Sequence, residues 1–355
     1  MTIKESTNQA IIKSVSVAVL LGASLTLTAC GNKAAEDSHS EHEHSEHAEE
    51  GHEHNHEHSH EHEHNHDEHA EHDHEHHDHA HASGPAQVIP EGYTVNFAVS
   101  NHPLFLLSEA VTNGTNTTVK KLLNAGDVGH HGSLSPSDMK TVKDSKYVVW
   151  FGKNLESNLS ETLENGDNTV TILNEAGINK LKRRDLQMQE ISGSKDPHIW
   201  SDPQNAKVIV NKLAELHSQA NPEYAEQYKA NAKAFATNLD ELVAKQKAKV
   251  GESNKYWSSH DAFQYFEAAL GVELVGTLTT DHEIPAKASQ IVWLTKNRPY
   301  ETMCLITQSK PKDGIVNKLA PITNRVLIED MSDSESYLQA WGKESQKIID
   351  CLANK

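Results

Sequence analysis

The run Tyr147-Val148-Val149-Trp150-Phe151, which is followed by a glycine, is apolar at every position. A strand with one face in water alternates apolar and polar residues, whereas a short unbroken apolar run fits a parallel strand buried on both faces. The run therefore predicts an internal strand of a parallel sheet, with helices packed on either side of it.

Strand and helix candidates alternate on both sides of this run. Residues 94–100 predict a strand, 104–111 a helix and 169–173 another strand. The alternation resumes late in the chain, where strand candidates lie at 256–259, 272–278, 303–307 and 325–328. The sequence thus predicts an α/β protein with two lobes.

A long helical pattern separates the two groups of strands. Asn221-Pro222 is typical of a helix start, and apolar residues then recur every three or four positions as far as about Val250. They do not keep a strict heptad, which argues against a coiled coil with a partner chain. We expect this helix, over residues 221–251, to join an N-terminal lobe at 85–220 to a C-terminal lobe at 252–355 as a rigid strut.

The first 29 residues have the pattern of an export signal. Lys4 and Lys13 precede a small apolar run over 14–28, which is too short to remain as a membrane span. The run ends in Leu-Thr-Ala and Cys30, typical of a bacterial lipoprotein cleavage site. We predict that residues 1–29 are removed and that Cys30 is acylated, which anchors the protein to a membrane outside the cytoplasm. The alternative is an ordinary signal peptide in which Cys30 is incidental.

Residues 30–84 form a tail rich in histidine and acidic residues. Between residues 30 and 81, 17 acidic residues stand against Lys33 alone, so this segment carries most of the chain's net charge of −19. Such a composition predicts disorder, and its imidazoles and carboxylates suit zinc and, less selectively, copper or nickel. We interpret the tail as a zinc collector or buffer; the alternative is a solvated spacer. The rest of the chain has no basic patch that would indicate nucleic acid. The tail histidines are His39, His42, His44, His47, His52, His54, His56, His58, His60, His62, His64, His66, His69, His72, His74, His76, His77, His79 and His81.

Three further histidines lie at or just beyond expected strand ends, where open α/β sheets bind ligands. His130 lies in a glycine-containing loop, His198 in Asp196-Pro197-His198-Ile199-Trp200, and His260 directly after a strand candidate. Three neutral imidazoles suit zinc, whereas manganese prefers oxygen ligands. His217 is expected on the solvated side of a helix.

Two cysteines, Cys304 and Cys351, lie in the C-terminal part of the chain. An even pair of cysteines in an exported protein favours a disulfide over two free thiols.

The motifs together resemble those of the ZnuA-like zinc-binding proteins of bacterial ABC importers, the cluster A-I or cluster 9 family. The resemblance covers about residues 92–355. It is carried by His130 eight residues before Asp138, by the Asp-Pro-His-Ile-Trp run at 196–200, by the segment opening at His260, and by Gly152 with Asn154-Leu155-Glu156.

The resemblance implies two (βα)4-like lobes joined by a long rigid backbone helix, with the metal in the cleft between the lobes. It implies His130, His198 and His260 as metal ligands and a disulfide between the two cysteines. The manganese-binding branch has a carboxylate where His260 stands, which favours zinc here. Asp330 matches the fourth ligand position, but Met331 and Ser332 follow it in place of the family's Pro and Leu, so the fourth ligand is Asp330 or water. The His-rich segment, usually a loop in the N-terminal lobe, lies here before the domain.

We therefore predict a monomeric, membrane-anchored receptor in the periplasm or on the cell surface. It binds Zn²⁺ and delivers it to an ABC permease driven by a separate ATPase subunit. The alternatives are a manganese or other divalent-metal receptor of the same family, or a zinc store or adhesin without a transport role. A zinc hydrolase is disfavoured because the sequence has no His-Glu-x-x-His helix or other general base beside a ligand, so we do not expect an enzyme.

Overall fold

The computed structural model describes residues 96–353, apart from 125–126, 128–131 and 282–283. It contains two four-stranded sheets whose paired strands are all parallel. This confirms the predicted α/β fold with two lobes. The N-terminal sheet has the order β2-β1-β3-β4, from β1 (Phe97–Val99), β2 (Lys120–Lys121), β3 (Tyr147–Trp150) and β4 (Thr169–Thr171). The C-terminal sheet has the order β6-β5-β7-β8, from β5 (Lys255–Ser258), β6 (Glu273–Thr277), β7 (Met303–Thr307) and β8 (Ile322–Val326).

Helices connect the strands and cover the sheets. The second helix begins with a capping box, in which the Ser135 Oγ accepts the Asp138 N–H and the Asp138 carboxylate accepts the Ser135 N–H. Several short 3₁₀ turns also occur, of which Ile199–Ser201 matters for the site. The α-helices described are α1 (His102–Thr112), α2 (Pro136–Asp144), α3 (Ser160–Leu163), α4 (Pro203–Ala220), α5 (Ala225–Lys247), α6 (Gln264–Leu270), α7 (Ala288–Lys296), α8 (Asp313–Leu319) and α9 (Tyr337–Ala353).

Burial on both faces explains the unbroken apolar run of β3. Val149 and Phe151 pack into one hydrophobic cluster, while Val148 and Trp150, which point to the opposite face, pack into another. The same division holds in β7, where Cys304 and Ile306 face one cluster and Met303 and Leu305 the other. An inner core and an outer helix layer therefore bound each sheet.

The helix α5 packs against the inner core that both lobes share. Its buried side chains include Tyr228, Phe235 and Leu239, and they join the cluster that also holds Phe97 of β1 and Tyr256 of β5. The helix is shorter than predicted. A 3₁₀ turn, Pro222–Tyr224, precedes it, and its 23 residues span about 35 Å. Asn221 does not cap this helix, because its side-chain amide donates to the Thr117 Oγ1 at 3.4 Å instead.

The predicted disulfide is present between Cys304 of β7 and Cys351 of α9, with 5.3 Å between the two Cα atoms. It joins the last helix to an internal strand across 47 residues of sequence. The predictions for the signal peptide, Cys30 and the histidine tail lie outside the described residues. Among the described helices, none combines the length and apolar character needed to cross a membrane.

Glu156 is a buried carboxylate where β1 and β3 end. Its Oε1 accepts the Asn101 side-chain amide at 2.6 Å, and its Oε2 accepts the Phe151 and Gly152 N–H groups at 2.8 and 3.3 Å. Burial outweighs these hydrogen bonds and raises the pKa of Glu156 to about 7. The carboxyl group thus ties together the loops that leave the two central strands of the N-terminal sheet.

This raised pKa predicts a pH-dependent contribution to stability. The pKa of Glu156 is higher in the folded state than in the unfolded state, so its contribution is fully present below about pH 4.5 and is lost as the pH rises through about 7. Between pH 4.5 and 8 the metal-free protein should lose about 3 kcal/mol of unfolding free energy relative to Glu156→Gln, which cannot titrate. Urea unfolding of both proteins at the two pH values measures this difference. A difference that does not change with pH would contradict it.

Candidate metal centre

A cluster of buried side chains lies beyond the carboxyl ends of the C-terminal strands. His260 follows β5, Glu329 follows β8, and His198 precedes the 3₁₀ turn Ile199–Ser201. β5 lies between β6 and β7, so the chain leaves it at the point where the strand order reverses. Open α/β sheets bind their ligands at such a point.

His198, His260 and Glu329 form the one group of metal-capable side chains found in the described part of the chain. Their ligand atoms lie within 4.8 Å of one another. The His198 Nε2 is 2.9 Å from the Glu329 Oε1, and the His260 Nε2 is 3.3 Å from the Glu329 Oε2. All three residues are buried. A single carboxylate therefore bridges two imidazoles through the nitrogen atoms that a metal would use.

Asp196 orients the His198 ring. Its Oδ1 accepts the His198 Nδ1–H at 2.6 Å and the His198 backbone N–H at 2.9 Å. Pro197, which lies between them, restricts the turn that brings the two side chains together. Because the Asp196 carboxylate accepts the Nδ1 proton, Nε2 is the ring nitrogen that faces Glu329 and that is free to bind a metal once its own proton leaves. This is the usual arrangement of a metal-bound histidine.

Electrostatics in the cluster favour a positive charge. Burial alone would lower the pKa of His198, but the carboxylates of Asp196 and Glu329 outweigh it and hold that pKa well above its usual value. Burial likewise opposes ionisation of Glu329, yet His198 and His260 hold its pKa well below its usual value. A metal cation that binds here displaces the His198 proton from Nε2, so binding is coupled to proton release.

The structure brings only some of the predicted ligands together within the residues that it describes. His198 and His260 come together as expected, whereas His130 lies outside the described residues. The structure brings Glu329, not Asp330, to the two imidazoles; the Asp330 Oδ1 accepts the Ser332 N–H at 3.1 Å instead. Glu329 was not among the predicted ligands, because the resemblance matched its neighbour Asp330. Two adjacent acidic residues at a predicted strand end were the available signal, since consecutive side chains point in different directions.

Trp200 connects the His198 turn to the Glu329 loop. Its Nε1–H donates to the Glu329 carbonyl at 3.2 Å, and its own carbonyl accepts the Tyr337 hydroxyl of α9 at 2.5 Å. Its ring also packs edge-on against His198, with 5.4 Å between ring centroids. The tryptophan of the Asp-Pro-His-Ile-Trp run thus links a histidine of one lobe to a carboxylate of the other.

A polar cavity gives access to the histidines. Its volume is about 410 Å³, and its lining includes both His198 and His260 with Arg184, Lys195 and Asp281. Two imidazole nitrogens and a carboxylate oxygen are a donor set that zinc accepts, with a fourth tetrahedral position left for another ligand. The cluster can therefore hold a zinc ion that enters from this cavity.

His217 contradicts the expectation of a solvated histidine. It is fully buried, stacks on Phe97 with 3.8 Å between ring centroids, and its Nε2 is 2.7 Å from the Ser108 Oγ. Burial lowers the pKa of His217 to about 3, so the ring is neutral. It lies on the inward face of α4, a position that the polar residues around it in the sequence do not indicate.

Comparison with known proteins shows that the chain is similar to zinc-uptake proteins. A family model described as "ZnuA: Zinc-uptake complex component A periplasmic" matches residues 98–351. The high-affinity zinc uptake system protein ZnuA of Brucella abortus (strain 2308) is 28% identical over 234 residues, which cover 54% of this chain and 70% of that protein.

Solved structures show the same fold. A Zn(II)-bound mutant variant of AdcAII from Streptococcus pneumoniae has a TM-score of 0.62 at 21% identity and covers 74% of this chain and 99% of that one. A mutant of the laminin-binding adhesin Lmb from Streptococcus agalactiae also has a TM-score of 0.62, at 18% identity, with 73% and 100% covered. At these identities the likeness shows the two-lobe architecture.

Proposed function

The chain belongs to the family of the periplasmic component A of zinc-uptake complexes, and we propose that its zinc is held by His198, His260 and Glu329 together with His130. Family membership makes the protein an extracytoplasmic zinc-binding receptor of zinc import, and not an enzyme. The observation that supports this ligand set is the Glu329 carboxylate, 2.9 and 3.3 Å from the two imidazole nitrogens. His130 would supply the fourth ligand from the N-terminal lobe.

The receptor delivers zinc to an ABC permease, and a separate ATPase subunit drives transport. The name of the Brucella relative, a zinc uptake system protein, supports a multi-component importer. The site is small, buried and built from one chain, so a monomer suffices to bind the ion. Zinc-dependent association with the permease, measured in detergent with and without a chelator, tests this step. Association that does not depend on zinc would oppose delivery of the loaded form.

Cys30 carries the lipid that keeps the receptor near its permease. The small apolar run before it and the polar tail after it support an anchor followed by a flexible tether. Intact-mass measurement of the membrane-extracted protein tests this proposal. Acyl chains on Cys30 are the expected result, and a free Cys30 thiol or a different mature N-terminus would contradict it.

The histidine tail collects zinc for the folded site. Each ion bound by a flexible segment must order several residues, so the tail sites are weaker than the buried one. They can nevertheless raise the zinc concentration beside the cavity. Their density, 19 histidines between residues 39 and 81, supports this role.

Deleting residues 36–82 should lower the initial rate of zinc uptake in zinc-poor medium by about twofold or more, because the local supply of zinc falls. The affinity of the buried site should not change. Uptake of ⁶⁵Zn and competition with a chelator measure the two quantities. The matched control keeps the tail length but replaces its histidines by asparagine. If this control takes up zinc at the normal rate, the tail is a spacer and the collector role is wrong.

A further inference from the structure

Residues 181–196 form a hairpin that we call the 181–196 hairpin. Arg184 and Glu190 pair as an antiparallel bridge, and the Ile191 N–H donates to the Arg183 carbonyl at 2.8 Å. The two ends are joined as well, because the Asp196 N–H donates to the Leu181 carbonyl at 2.8 Å. The hairpin therefore ends as a closed unit at Asp196, the residue that holds the His198 ring.

Arg184 reaches from this hairpin to the segment that carries His260. Its Nε and Nη2 donate to the two carboxylate oxygens of Asp261 at 2.8 and 2.7 Å, and Nη2 also lies 2.5 Å from the Glu267 Oε1. The paired bonds to Asp261 form a fork that fixes both distance and orientation. Asp261 directly follows His260 in the chain.

The environment of these ion pairs differs from that of the surface pairs. The side chains of Arg184, Asp261 and Glu267 are 13, 12 and 17% exposed. By contrast, Lys182 and Glu190 of the same hairpin form a pair whose side chains are 52 and 64% exposed. Exposed ion pairs contribute little to stability, whereas a partly desolvated, bidentate ion pair resists displacement by water.

The base of the hairpin is tied to the same lobe. The Gln264 side-chain amide donates to both the Asp196 Oδ2 and the Lys182 carbonyl, and the Tyr265 hydroxyl donates to the Asp196 carbonyl at 3.0 Å. The hairpin thus contains the residue that holds the His198 ring and contacts the residue that follows His260. One element therefore contacts the supports of both imidazoles.

We propose that Arg184 is a positioning residue for zinc binding: through its paired hydrogen bonds to Asp261 it holds the backbone of His260 at the distance from His198 that a zinc ion requires. The inference rests on the proposed ligand set. Arg184 acts through Asp261 and is not itself a ligand. The positive charge of the guanidinium and its paired hydrogen bonds to Asp261 can be separated experimentally. Lysine keeps the charge but cannot form both hydrogen bonds.

The test uses the full-length protein with Arg184→Gln and Arg184→Lys. Zinc affinity is measured by competition with a chelator that keeps free zinc too low to fill the tail, and the site geometry is read from visible absorption of the Co²⁺-loaded protein. Both variants should bind zinc about 10- to 100-fold more weakly, as found for residues that support metal ligands, and should show an altered Co²⁺ spectrum. Wild-type affinity and spectrum in either variant would overturn the proposal.

Controls separate this result from misfolding and from a wrong site. Lys255 lies on β5, the strand that leads to His260, and forms an exposed ion pair with Glu273. The Lys255→Gln variant removes this pair and should bind zinc normally. If Arg184→Gln does not fold, Asp261→Asn tests the same contact: a comparable loss supports the proposal and wild-type binding overturns it. His198→Ala is measured alongside. If it loses zinc while the Arg184 variants do not, only the positioning role fails; if it also binds normally, the ligand set itself fails.

Discussion

Replacing His198 by alanine should raise the zinc dissociation constant by about three orders of magnitude. Structural zinc sites contribute roughly 10–16 kcal/mol in total, so one of three or four ligands accounts for about 4 kcal/mol. The substitution also leaves Asp196 buried without the ring that it holds at 2.6 Å, and removes one of the two imidazoles beside Glu329. Competition with a chelator at low free zinc measures the loss.

His102→Gln is the matched control for this variant. His102 begins α1 and its Nδ1 is 3.0 Å from the Lys121 Nζ, outside the group formed with Glu329. His102 is half-buried but belongs to no part of the cluster, so its substitution should change the zinc affinity by less than about threefold, or about 0.7 kcal/mol. If His198→Ala binds zinc as tightly as the wild type, or if His102→Gln loses as much affinity, the ion occupies a different site.

The fold could be predicted where burial leaves a simple pattern. The internal strands β3 and β7 are covered on both faces, so their sequences are continuously apolar and the predictions at 147–151 and 303–307 agree closely with the structure. Of the four edge strands, β4 and β6 lie within the predicted ranges 169–173 and 272–278, but β2 and β8 were harder to predict. β2 is only Lys120–Lys121, and β8 begins at Ile322 rather than 325, since edge positions are half-buried and accept polar residues.

The site could be predicted only as far as its motifs extend. The Asp-Pro-His turn carries its own geometry, because the proline and the Asp196 carboxylate act within three residues of His198. The choice between Glu329 and Asp330 depends on which side chain the loop after β8 turns inward, and that loop is held by Trp200, 129 residues away in sequence. Arg184 and Asp261 are 77 residues apart. Contacts of this kind follow from the packing of the lobes and leave no local pattern.

Glu329→Gln should weaken zinc binding by about two to three orders of magnitude, although it preserves the size and most contacts of the side chain. A carboxylate neutralises part of the charge of Zn²⁺ and binds it directly, whereas a neutral amide does neither well. The same carboxylate also lies 2.9 and 3.3 Å from the Nε2 atoms of the two imidazoles. The amide offers one oxygen in place of two, so the two rings also lose their common acceptor.

Asp330→Asn is the decisive comparison, because it makes the same chemical change one residue further along the chain. Asp330 is also buried, and its Oδ1 accepts the Ser332 N–H, a bond that the amide oxygen of asparagine can still accept. Its zinc affinity should stay within about threefold of the wild type, a change of under 1 kcal/mol. Chelator competition on the two variants side by side therefore assigns the carboxylate. A large loss in Asp330→Asn with normal binding in Glu329→Gln would reverse the assignment and make Asp330, the position that the resemblance matched, the carboxylate ligand.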